Sequence, residues 1–105
     1  MERIEIKAPS WLAKLPLRER EAILVDAVNL TAKRKIIQLK RQIKEAEEHI
    51  DRFETKYGMT YEKFQEKIAP HMADFETHKD DTEWEMWLEV AKEARAILAA
   101  IEQQQ

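Results

Sequence analysis

Ile36, Leu39, Ile43, Ala46, Ile50, Phe53 and Tyr57 follow one another at alternating steps of three and four residues, the spacing that keeps one apolar seam along a single side of an α-helix. The register extends backward through Ala32, Asn29, Val25 and Ala22. It places Ala22, Asn29, Ile36, Ile43, Ile50 and Tyr57 at position a of a heptad, and Val25, Ala32, Leu39, Ala46 and Phe53 at position d. A seam of this length must be covered, by a partner chain or by another helix of the same chain. Between 22 and 30 the apolar surface widens to take in Ile23, Leu24, Ala27, Val28 and Leu30, so that stretch is expected to touch more than one neighbour.

The punctuation of the sequence sets the ends of this helix. Ser10 is placed to cap a short turn through Trp11, Leu12 and Leu15, and Pro16 suits a first helical turn because its missing N–H would be unpaired there anyway. Nothing interrupts the pattern from Leu17 to Tyr57, which predicts a helix over 16–57, roughly 60 Å long at 1.5 Å per residue. Gly58 is the left-handed stop expected just past it, with Met59 placed to fold back on Phe53. Thr60 caps a short helix over 60–69 that carries Tyr61, Phe64 and Ile68 on one face. Pro70 follows close after its end.

Residues 70–81 show no period and read as a loop anchored by Met72 and Phe75. Thr82-Glu83-Trp84-Glu85 then matches a capping box. The helix it opens, 82–102, has its own stripe of Trp84, Trp87, Ala91, Ala94, Leu98 and Ile101. Two helices with compatible stripes, joined through a helix stop, predict an antiparallel hairpin. Trp84 and Trp87 would lie near Phe53 and Tyr57, and Ile101 near Leu39 or Ile36. The expected architecture is therefore a single all-α domain, a long helix with an antiparallel C-terminal helix and a short third helix. Residues 1–9 are expected as an extended arm or a short strand: over 2–8, Ile4, Ile6 and Ala8 alternate with Arg3, Glu5 and Lys7, and a strand would need a second copy to pair with.

Composition agrees with a helical chain: one Gly, three Pro and 37% charged residues. With no Cys, disulfides, thiolate metal sites and Cys nucleophiles are excluded. No apolar run approaches the roughly 20 residues of a membrane span and no signal-like segment opens the chain, so a cytoplasmic protein with no membrane partner is expected. The net charge of −3 hides an asymmetry, because residues 1–44 carry 11 Lys and Arg against 5 acids while residues 45–105 carry 7 against 16. The front is basic and the back acidic.

Three surfaces follow as candidates. Ala22, Val25, Val28, Asn29, Ala32 and Ile36 are the expected homodimer interface, since a buried Asn at a can pair with its mate and fix register, and Ile at a with Leu at d favours two strands. A parallel pairing would bring Lys35 near Lys40 of the partner, and the orientation stays open. Lys33, Arg34, Lys40, Arg41 and Lys44, with Arg3 and Lys7 from the arm, are candidate nucleic-acid contacts through phosphate neutralisation. A solvated face, or pairing with the acidic half, accounts for the same run, and no aromatic residue is interleaved for base stacking. The acidic residues from Glu45 to Glu85 could dock a basic protein.

Chemistry-bearing constellations are otherwise lacking. His49, His71 and His78 stand apart, no Gly-rich phosphate loop occurs, and Ser10 is the only Ser. No nucleophile, base and orienting group can be assembled from spacing. The chain is read as non-enzymatic, without cofactor or metal.

The alternating arm, Pro9-Ser10-Trp11-Leu12 and the basic helix resemble the front end of small prokaryotic antitoxin-type proteins. The stretch from Phe53 to Phe64 with Glu83-Trp84-Glu85-Met86-Trp87 resembles a phrase of small helical proteins of bacteria and archaea, some encoded beside toxins. The resemblance implies a dimer that binds operator DNA with one end and clamps a toxin with the other, with Arg3, Glu5 and Lys7 facing outward from a paired ribbon. The chain departs from ribbon-helix-helix repressors in lacking the Gly-containing turn between two short helices. The expectation is a dimeric helical interaction protein, antitoxin-like or regulatory, whose acidic half engages a protein partner. The alternative is a nucleic-acid-binding regulator that uses the arm and the basic helix.

Overall fold

Helical propensity and end signals produce four α-helices in the computed structural model, which describes residues 7–71 and 73–103. They are α1 (Ser10–Ala13), α2 (Leu17–Tyr57), α3 (Tyr61–Lys67) and α4 (Phe75–Glu102), with a short 3-10 turn at Ala69–His71. No strand occurs among the described residues. The expected strand at 2–8 falls almost wholly outside them, and Lys7 to Pro9 have no regular structure.

The chain divides into two compact units, Met1–Arg34 and Lys35–Gln105, with the division inside α2. In the first, α1 is one tight turn, with Leu12 N–H donating to the Pro9 carbonyl and Lys14 N–H to that of Trp11, both at 3.1 Å. Ser10 is the first helical residue and makes no cap; Pro9 holds that position without a side-chain bond. Pro16 precedes α2, and its carbonyl accepts the first helical bond from Arg20 N–H at 3.0 Å. Leu12 is buried, and Leu15 and Arg20 are half-buried. The Arg20 Nε is enclosed with no hydrogen-bond partner among the described residues.

The second unit follows the seam. Leu39 and Ala46 are buried, and Ile36, Ile43, Ile50, Phe53 and Tyr57 are half-buried. Gly58, at φ +68°, ends α2 in the left-handed region and returns its N–H to the Glu54 carbonyl at 2.7 Å. An added Cβ there would meet nothing within 4 Å, so backbone conformation and not crowding calls for glycine. Thr60 caps α3 by accepting from Lys63 N–H, as its position before Tyr61 predicts.

The C-terminal helix corrects two expectations. It begins at Phe75, not Thr82, with the Asp74 side chain accepting from Thr77 N–H at 3.3 Å. Most of the expected loop is thus helix, and Thr82 sits within it, its hydroxyl donating to the His78 carbonyl. Phe75 is 82% exposed and so is not the buried anchor expected of it; Met72 lies outside the described residues. The inward stripe extends two turns further back than its apolar members, through Thr77 and Asp80. Because Asp80 is polar and Phe75 points outward, apolar periodicity could not reveal those turns.

The hairpin is antiparallel, as expected. Trp84 packs between Phe53 and Tyr57, with ring centroids 5.6 and 5.9 Å away, and Trp87 lies flat on His49 at 4.0 Å. Farther along, Lys35, Leu39 and Gln42 line a groove with Val90, Glu93, Ala94 and Ile97. Phe64 from α3 closes the cluster, its ring 5.2 Å from Trp84 and 4.8 Å from Tyr57. Trp84 and Phe64 have no exposed surface. Aromatic pairs of this kind contribute about 0.5–1.5 kcal/mol each beyond the area they bury.

Candidate interaction surfaces

In the first unit, the residues that should be covered are open. Every residue from Glu21 to Leu30 is exposed, including Val25 at 57% and Val28 at 66%. Of the expected dimer contacts, Ala22, Val25, Val28 and Asn29 are exposed, while Ala32 and Ile36 are half-buried. Trp11, Leu17, Leu24 and Leu30 are also at least half exposed or close to it. Consecutive helical residues are about 100° apart, so Leu24, Val25, Val28 and Ala32 form one strip and Ile23, Ala27 and Leu30 another on the far side.

Lys7, Lys33, Arg34, Lys40, Arg41 and Lys44 are all exposed, and none takes part in an ion pair among the described residues. Arg3 lies outside the described residues.

In the second unit, some of the acidic residues are bonded within the chain. Asp80 is buried, and one of its carboxylate oxygens accepts from Lys56 Nζ at 2.6 Å and from Tyr57 Oη at 2.5 Å. Lys56 also donates to Glu76 at 2.8 Å. The next residue, Asp81, accepts from Tyr61 Oη at 2.7 Å and Gln65 Nε2 at 2.6 Å. Two successive aspartates of α4 therefore tie down the end of α2 and the face of α3. Arg95 donates to Glu47 across the hairpin. Asp80 and Asp81 lie past the first turn of α4, so helix-dipole stabilisation does not account for them. They hold the helices together.

The electrostatics follow from these contacts. Burial pushes the Asp80 carboxyl up, but the hydrogen bonds from Lys56 and Tyr57 and the nearby ammonium groups outweigh it, leaving the group below its ordinary value. The Tyr57 hydroxyl is pushed up to about 12, first by burial and then by its bond to Asp80. Tyr61 is raised for the same two reasons, with Asp81 as acceptor. Lys56 is raised by its bonds to Asp80 and Glu76. Lys56, Tyr57 and Asp80 are thus each held in the protonation state that their shared contact needs. His49 Nδ1 lies 3.2 Å from the Arg52 guanidinium, which can only donate, so Nδ1 is the acceptor in this pair.

No family model, curated protein or solved structure matches the chain. Among the described residues no group of three His, Cys, Asp or Glu side chains is placed to hold a metal ion, and no helix is long and apolar enough to cross a membrane.

Pro16, Gly58 and the apolar seams pointed to α2 and the hairpin, but the Asp80 and Asp81 ties were missed. The available signal was positional. Stepping back four residues from Trp84 along its own stripe reaches Asp80, and a carboxylate on an inward-facing stripe needs a donor opposite it. Lys56 and Tyr57 close the facing helix.

Proposed function

We propose that this chain is a non-enzymatic helical interaction protein that works as a dimer, of the antitoxin or small regulatory type. The observation that carries the reading is the exposed apolar surface of Glu21–Leu30, because contiguous apolar surface left open on a helix marks a place where another chain sits. In the second unit, the exposed acids Glu45, Glu48 and Asp51 offer charge to a basic protein partner. Co-expression with the product of an adjacent gene tests this reading. The expected result is a co-purifying complex whose mass, by light scattering, contains two copies of this chain. A chain that stays single at high concentration and leaves the neighbouring product unbound contradicts it.

The second reading, nucleic-acid binding, is favoured by the exposed cations Lys33, Arg34, Lys40, Arg41 and Lys44 along α2. Titration of a fluorescent duplex at two salt concentrations decides it. Phosphate binding predicts affinity that falls steeply with salt and is lost when Lys33, Arg34, Lys40 and Arg41 are changed to Glu. Absence of binding at low salt excludes it.

A further inference from the structure

We infer that the exposed stretch of α2 pairs with the same stretch of a second copy in antiparallel orientation, centred near Ala27. This inference rests on the dimeric reading above and adds the direction and register of the contact. The seam continues downward to Leu39 and beyond, but Leu39 is 1% exposed within the hairpin. A second copy is left with Ala22 to Asn29, all exposed, and with the half-buried Ala32.

Charge decides the direction. Beside the seam, Glu19, Asp26 and Lys33 occupy e, and Glu21, Val28 and Lys35 occupy g. In a parallel pair, g of one helix meets e of its partner's next heptad. That sets Glu21 against Asp26, Lys35 against Lys40 and Val28 against Lys33, with two like-charge contacts and no opposite one.

Reversing one helix changes every contact. Ala22 then lies beside Ala32 of the second copy and Asn29 beside Val25. The flanks place Glu19 near Lys33 and Glu21 near Lys35, each twice by two-fold symmetry. Val28 meets its own mate on the axis. Asp26 beside its mate is the one like-charge contact, set against four opposite-charge ones. Small Ala residues at two facing layers allow close approach of the helices.

The chain has no Cys, which makes disulfide trapping in the full-length protein direct. Ala22→Cys and Ala32→Cys variants are purified separately, sized by light scattering, then oxidised alone and as an equimolar mixture. Antiparallel pairing predicts dimeric variants that stay unlinked alone and give a covalent dimer only when mixed. Cross-linking of either variant with itself overturns the orientation and leaves the dimer standing. A dimer that cross-links in no combination overturns the register. A monomeric wild-type chain overturns both this inference and the dimeric reading. As a second arm, Glu19→Lys should weaken self-association on the order of tenfold, and adding Lys33→Glu should restore it; failure of the rescue counts against the pairing.

Discussion

One helix, one heptad register and two opposite fates distinguish Ala22–Leu30 from Leu39–Tyr57. In the lower stretch, Leu39 and Ala46 are buried and the remaining seam residues are half-buried; in the upper one, every residue is exposed. The upper seam residues Ala22, Val25 and Asn29 are smaller or more polar than Leu39, Phe53 and Tyr57 below, yet both stretches keep one register. The difference lies in what faces them: α4 supplies Trp84, Ala91 and Ala94 to the lower seam, and by the antiparallel order of its contacts it is used up near Lys35. Periodicity states that a helix face will be covered, while the length of the opposing helix decides how much of it is covered within the chain.

The comparison breaks most readily at its buried end. Trp84→Ala removes the ring that touches Phe53, Tyr57, Tyr61 and Phe64, and should cost about 3–5 kcal/mol in denaturant unfolding. Asp80→Ala should cost about 2 kcal/mol, because it strips both Lys56 and Tyr57 of a charged acceptor at the hairpin's end. Trp84→Phe should cost less than Trp84→Ala, on the order of 1–2 kcal/mol, since the buried indole Nε1 has no hydrogen-bond partner among the described residues to lose. Thr60→Ala, which removes the α3 cap, should cost about 1 kcal/mol. At the other end of the scale, Val25→Ala with Val28→Ala should leave the melting of the hairpin within about 0.5 kcal/mol at low concentration, because these side chains are already in water.

Stability against pH sharpens the same contrast, since the node belongs to the buried region alone. The folded Asp80 carboxyl titrates below its ordinary value of 3.8, so its contribution is whole above that value and is lost as pH falls through the lower folded one. Tyr57 works in the opposite sense, its contribution being present below 10.0 and lost as pH rises toward about 12. Circular-dichroism melts across pH should therefore show Asp80→Asn with a shallower acid limb than the wild type. An unchanged acid limb would remove Asp80 from the account.

The residues explain how much could be read in advance. Gly58, Thr60 and the Trp84–Ile101 stripe were legible because each acts through local geometry, as a stop, a cap or a three-four period. The start of α4 was not, because Thr77 and Asp80 face inward while Phe75 faces outward, which inverts the usual sorting over two turns. The carboxylate ties were hidden for the same reason: acids that serve as surface charge and acids that hold a hairpin look identical until their partners are placed. The candidate dimer residues were legible as a seam, but only exposure separated Ala22–Asn29 from Ile36.

The claim that joins these observations is that Ala22–Leu30 serves contact between chains while the hairpin stands by itself. Its direct test is light scattering on the wild type beside a Val25→Lys, Val28→Lys double variant, with helicity followed by circular dichroism. The account predicts a wild type with the mass of two chains and a variant with the mass of one that keeps its helical signal. A wild type with the mass of one chain, or a variant that remains dimeric, would contradict it.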